Sequence, residues 1–158
     1  MLTRRILLPA GAGLVLAQPA LAQVRGNIVF GKDNHIFAGW EDIRRASAQR
    51  MRPVLQLAGQ VIRILKDAGM EVAVPLIPTR ARVLADMLPP DFQPNQDAQR
   101  RYEQAMTQLR QAGAIVPDYA TLLAGLRTSQ REAVFFKADS HWTAVGAEAA
   151  ANGMATAI

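Results

Sequence analysis

Two short apolar runs flank the polar turn Gly31-Lys-Asp-Asn34 between Asn27 and Ala38, the second passing through Ile36 and Phe37, and this spacing predicts a β-hairpin. Beyond it the period changes. Val54, Leu57, Ala58, Val61, Ile62 and Leu65 recur at i, i+3, i+4 and i+7, which predicts a helix from about Pro53 to Gly69 with that face in the core. Glu71 to Ile77 is β-branched and apolar enough for a buried strand, although Pro75 lacks a ladder donor and argues for an edge position or a bulge. The strand ends at Pro78-Thr79-Arg80.

A short helix over Arg80 to Met87 and a proline-rich loop over Pro89 to Pro94 lead to Asn95, an N-cap for a helix carrying Ala98, Tyr102, Ala105, Met106 and Leu109. Gly113 stops it. Ala114 to Val116 reads as a brief strand, Asp118 as the cap of a helix from Tyr119 to Leu126, and Ala133 to Phe136 as another strand. After Asp139-Ser-His-Trp142, Thr143 caps an alanine-rich helix reaching Ile158. Strands alternating with helices predict an α/β fold with a mostly parallel sheet. Three or four short strands are few for a sheet covered on both faces, so the domain is expected to be incomplete within these residues.

The first twenty-two residues follow a different pattern. Met1 to Arg5 is a positive segment, Ile6 to Leu16 is an apolar stretch of eleven residues, and Ala20-Leu-Ala22 is a small-x-small cleavage site before Gln23. Eleven residues fall short of the ~20 that a spanning helix needs, so 1–22 is read as a signal peptide and the periplasm as the destination of residues 23–158. No transmembrane segment is expected in the mature chain. Of 158 residues half are hydrophobic and a fifth charged, an ordinary globular composition. The absence of Cys excludes a disulfide scaffold, a thiolate metal site and a Cys nucleophile within the chain. Eighteen Lys and Arg face thirteen Asp and Glu; with Arg4 and Arg5 in the leader, sixteen basic residues remain, a net +3. That mild bias suits an anionic polymer, and no block of basic residues interleaved with aromatics points to nucleic acid.

Asp139-Ser-His-Trp-Thr143 directly follows a strand, where open α/β sheets bind ligands. Residues two apart in extended backbone point to the same side, so the Asp139 carboxylate can reach Nδ1–H of His141 and leave Nε2 outward as an acceptor. This is the base and its orienter from a hydrolase triad. The plainer alternative is a surface Asp–His pair with Trp142 anchored in the core. Arg80, at the carboxyl end of a strand, is a candidate to bind a uronate carboxylate or orient an acyl group, against a solvated or helix-packing role. Arg44, Arg45, Arg50 and Arg52 read as a solvated helix face. A metal site from Asp139, His141 and His35 has too few strong ligands, and none is expected.

Gly31-Lys-Asp-Asn-His-Ile-Phe37, Ile77-Pro-Thr-Arg80, Val116-Pro-Asp118 and Phe135-Phe-Lys-Ala-Asp-Ser-His-Trp-Thr143, in that order, resemble the alginate O-acetyltransferase family of the AlgX/AlgJ type, with its SGNH-hydrolase-like three-layer domain. The resemblance covers Asn27 to the end but only the front portion of the family's domain. It implies that Asp139 and His141 are the catalytic acid and base. His35 stands where the family usually has Trp, and Ala144 where Pro commonly follows the Thr. The family's serine lies downstream in a Gly-x-Ser turn, beyond Ile158. Ser47, Ser129 and Ser140 do not sit on such a turn.

Residues 23–158 are therefore expected to be the N-terminal part of an SGNH-hydrolase-like acetyltransferase domain. The expected activity is exported acyl transfer or ester cleavage on an exopolysaccharide such as alginate. The partners are then an anionic polysaccharide, an acyl donor and other exopolysaccharide-assembly proteins, with no cofactor. A non-catalytic carbohydrate-binding or scaffold component of exopolysaccharide assembly is the alternative from another class.

Overall fold

A computed structural model describes residues 24–25, 27–41, 43–129 and 133–158. The leader expected at 1–22 lies outside the described residues.

The predicted hairpin is present. Strands β2 (Ile28–Phe30) and β3 (Ile36–Ala38) pair antiparallel with Val29 opposite Phe37, and β1 (Val24–Arg25) adds a third strand beside β2. Between β2 and β3, Asp33 and Asn34 take φ of 51° and 62°, a left-handed turn that Asp and Asn tolerate better than most residues. The Gly31 N–H closes it on the His35 carbonyl at 2.7 Å. Alternation along the strands turns Val29 and Phe37 inward, where both are buried, and Ile28 and Phe30 outward.

Helix α1 (Ala48–Asp67) begins a turn and a half earlier than the pattern predicts and carries Pro53 inside it, at the loss of one helical hydrogen bond. Its observed seam is also rotated from the predicted one. Gly59 and Ile62 are buried and Leu55 and Ala58 half-buried toward α3 (Gln96–Gln111), whereas Val54, Leu57 and Val61, all expected in the core, are exposed together with Ile64. The apolar stripe of α1 is wider than the one helix packed on it. Helix α3 follows the prediction closely. The Asn95 side chain accepts from the Ala98 N–H at 2.7 Å, and Ala98, Tyr102, Ala105, Met106 and Leu109 are all buried. Gly113, at φ 101°, closes it.

The expected buried strand over Glu71–Ile77 is half-exposed extended backbone. Val72, Val74 and Leu76 turn inward while Glu71, Ala73, Pro75 and Ile77 face out. Val72 C=O and Val74 N–H bond Ile115 at 2.8 and 2.9 Å, a single parallel bridge between the segments predicted as the strands Glu71 to Ile77 and Ala114 to Val116. Among the described residues the regular sheet is the antiparallel β1–β2–β3, so the mostly parallel sheet is represented by that one bridge. Pro75, which cannot donate, lies just past it.

Helix α2 (Arg80–Val83) is short and followed by a 3-10 turn, Ala85–Met87. Helix α4 (Tyr119–Ser129) is capped by Asp118, whose carboxylate accepts from the Thr121 N–H at 3.1 Å. Helix α5 (Ala144–Ala157) follows Thr143. Two apolar clusters hold these elements. One gathers Val29, Phe37, Leu84, Leu88, Phe92, Tyr119, Leu123, Val134 and Phe135 around the hairpin, α2, α4 and α5; the other joins Ile62 to Tyr102, Met106 and Leu109 between α1 and α3. The first cluster underlies the segment that carries Asp139 and His141.

Candidate functional site

Val134 and Phe135 are buried, and this apolar root fixes the approach of the chain to Asp139. Phe135 then pairs antiparallel with Trp142. The Phe136 N–H donates to the His141 carbonyl at 3.2 Å, and the Thr143 N–H to the Val134 carbonyl at 3.0 Å. Residues 137–141 therefore form the tip of a tight two-rung hairpin, not the free end of a strand. Thr143 secures the descending side twice. Its hydroxyl donates to the Ala133 carbonyl and accepts from the Gly146 N–H, capping α5. Gly146 is needed here because a Cβ would collide with the Val134 carbonyl.

At the tip, Asp139 Oδ1 accepts from the His141 backbone N–H at 2.9 Å and stands 2.5 Å from His141 Nδ1. Both side chains are exposed, by 54 % for Asp139 and 80 % for His141, so the pair is open to a ligand instead of locked in the core. The His141 backbone N–H, followed by its ring, holds the Asp139 carboxyl below the usual carboxylate range. In the tautomer that places Nδ1–H against the carboxylate, Nε2 is left as an acceptor on an exposed ring. Among the described residues the ring has no other hydrogen-bond partner, and Ser140 makes none with it.

Arg80 lies elsewhere than a ligand-facing position. It is 2 % exposed, and its guanidinium donates to three carbonyls: Nε to Phe136 at 2.9 Å, Nη1 to Ile36 at 2.7 Å and Nη2 to Lys137 at 2.5 Å. It also stacks 4.4 Å above the Phe37 ring. The expectation of a solvent-accessible cation for a uronate is therefore corrected: burial and three carbonyls occupy the fork. The chain signal for this was the placement of Arg80 at a strand's end, but its partners are too distant in sequence to be read there. His35 points its Nδ1 to the Lys32 carbonyl at 3.0 Å, within its own turn. No group of three or more His, Cys, Asp or Glu side chains converges among the described residues. A cavity of about 970 Å³ lies between α1, α3 and α4 and is lined by none of Arg80, Asp139 and His141.

A family model described as an SGNH hydrolase-like domain, acetyltransferase AlgX, matches residues 28–158. The chain is similar to the probable alginate O-acetylase AlgJ of Pseudomonas putida, 32% identical over 136 residues that make up 85% of this chain and 34% of that protein. It is also similar to the alginate biosynthesis protein AlgX of Pseudomonas aeruginosa, 30% identical over 84% of this chain and 28% of the relative. The solved O-acetyltransferase domain of Pseudomonas putida AlgJ aligns with a TM-score of 0.71 at 29% identity, covering 83% of this chain and 46% of that one. The chain thus spans about a third of the length of the curated relatives it matches. The shared α/β fold and the family match over most of its residues agree, and the chain belongs to the family of AlgX-type SGNH hydrolase-like acetyltransferase domains.

Proposed function

We propose that this chain supplies the general base and its orienter for O-acetyl transfer to an exopolysaccharide such as alginate, and that residues 23–158 are the N-terminal part of the catalytic domain. One observation carries the reading: an exposed Asp139–His141 pair, joined through Nδ1 and held at the tip of a braced hairpin. The names of the relatives, an alginate O-acetylase and an alginate biosynthesis protein, support the substrate class. A downstream serine and the remaining strands of a mostly parallel sheet, to which the Ala73–Ile115 bridge would belong, complete the domain in this reading.

The reaction is a double displacement. The serine Oγ attacks the acyl carbonyl of the donor while its proton passes to His141 Nε2, and the donor's leaving group departs with that proton. Asp139 holds the ring in the Nδ1–H tautomer and stabilises the imidazolium. A sugar hydroxyl then gives its proton to the same Nε2 and attacks the acyl-enzyme, and the serine is reprotonated as it leaves. Every step uses an ordinary acid–base group, and no cofactor enters.

The small-x-small site before Gln23 supports export to the periplasm, and no helix among the described residues is long and apolar enough to cross a membrane. Incubation of the protein expressed from its intact gene with an activated acetyl ester tests the chemistry. A gain of one acetyl group on a serine outside the described residues, absent in His141→Ala, is expected. A protein that binds polysaccharide but never acquires the acetyl group would be a non-catalytic assembly component.

A further inference from the structure

Three of the sequence motifs meet at one buried side chain. The hairpin motif contributes the Ile36 carbonyl and the Phe37 ring, the Phe135–Thr143 motif contributes the Phe136 and Lys137 carbonyls, and Arg80 from the Ile-Pro-Thr-Arg motif touches all four. The Ile36 N–H also donates to the Lys137 carbonyl at 2.8 Å, so β3 and the segment leading to Asp139 run side by side. Next to that single backbone bond, the guanidinium fills the place of a further rung and joins the Ile36 and Lys137 carbonyls through its two Nη atoms. We propose that Arg80 is a positioning residue for the Asp139–His141 pair: its fork fixes the Phe136 and Lys137 peptides, and through them the tip on which the two side chains meet. The inference rests on the catalytic reading of that pair.

The chemistry suits Arg and not Lys. A guanidinium offers planar donors in a fixed fork, so one side chain can hold three carbonyls at set angles, whereas an ammonium is a single point with rotating donors. Stacking on Phe37 sets the plane of the fork. Lys137 is two residues from Asp139, and the exposed tip beyond it is tied across by the Phe136–His141 backbone bond and by the Asp139–His141 contacts themselves. A shift of the Lys137 peptide is therefore passed to Asp139 with little to absorb it. Arg82, two residues on and so on the opposite side of the same short helix, faces α3 instead. It donates to the Ala98 and Gln99 carbonyls and pairs with Glu103.

The test reads the tautomer of the neutral His141 ring by NMR in the complete chain, with substitutions Arg80→Lys, Arg82→Lys and Asp139→Asn. His35, bonded to Lys32 within its own turn, is the internal reference. In the unsubstituted chain His141 should be mainly Nδ1–H, and Arg80→Lys should lose that preference as fully as Asp139→Asn. Arg82→Lys should retain it. Arg80→Ala, which vacates the guanidinium's space, should regain it on addition of guanidinium at sub-denaturing concentration; this decides the matter if Arg80→Lys does not fold. Retention of the preference in Arg80→Lys, an equal loss in Arg82→Lys, or failure of guanidinium to restore it overturns the positioning role and leaves the pair itself intact. Absence of any preference in the unsubstituted chain overturns the pair, and the positioning role with it.

Discussion

Asp139 Oδ1 accepts two hydrogen bonds from one residue, the backbone N–H of His141 at 2.9 Å and its Nδ1 at 2.5 Å. The backbone bond fixes the distance between the two residues and the side-chain bond fixes the ring. A carboxylate so placed is held below its ordinary value of 3.8, first by the backbone N–H and then by the ring. The folded value lies below the unfolded one, so the order Asp139 lends to the tip is present above the ordinary value and is lost as pH falls through the depressed one. Carbon-13 NMR of the Asp139 carboxyl should show a midpoint below 3.8 that rises only part of the way to the ordinary value in His141→Ala, which removes the ring and keeps the backbone N–H. A midpoint at or above the ordinary value in the unsubstituted chain would contradict the geometry.

Thr143 and Gly146 are expected to matter through the backbone. Thr143→Ala removes both the N-cap of α5 and the bond to the Ala133 carbonyl, a loss of about 1–2 kcal/mol. Gly146→Ala forces a methyl group toward the Val134 carbonyl and should cost about 1–3 kcal/mol. Denaturant unfolding measures both. Neutral outcomes would mean that α5 does not brace the hairpin.

Helix α1 offers an internal contrast. Leu57 and Ile64 are 62 % and 66 % exposed, so Leu57→Gln and Ile64→Gln should change stability by less than about 0.5 kcal/mol. Leu123→Ala, at a fully buried site among Val29, Phe37 and Tyr119, should cost about 2–5 kcal/mol. Equal effects in the same unfolding experiment would place the exposed stripe of α1 inside a stable interface.

Legibility from the chain followed the range of the interactions involved. Local signals were readable: the Gly31–Asn34 turn, the Asn95, Asp118 and Thr143 caps and the five-residue core face of α3 all depend on contacts within a few residues. The Asp139–His141 contact was legible for the same reason, spanning two residues. Periodicity failed on α1, where apolar positions continue around the helix and only packing against α3 selects Gly59 and Ile62. It also read Glu71–Ile77 as buried, because an apolar run does not reveal that one face lacks a cover. Arg80 was legible as a residue at a strand end but not as a buried fork, since its carbonyl partners lie 44 to 57 residues away.

The central claim is that His141, oriented by Asp139, acts as base for a serine that this chain does not itself contain. Release of 4-nitrophenol from its acetate ester, followed in the 158-residue chain and in the protein extended through a downstream Gly-x-Ser turn, tests it most directly. The short chain should be inactive. The extended protein should cleave the ester, with a fall of about 10³-fold or more in His141→Ala, a severe fall in Asp139→Asn from the wrong tautomer, and little change in Ser140→Ala. Turnover by the short chain at the extended protein's rate, lost in Ser140→Ala, would instead make Ser140 the nucleophile and contradict the account.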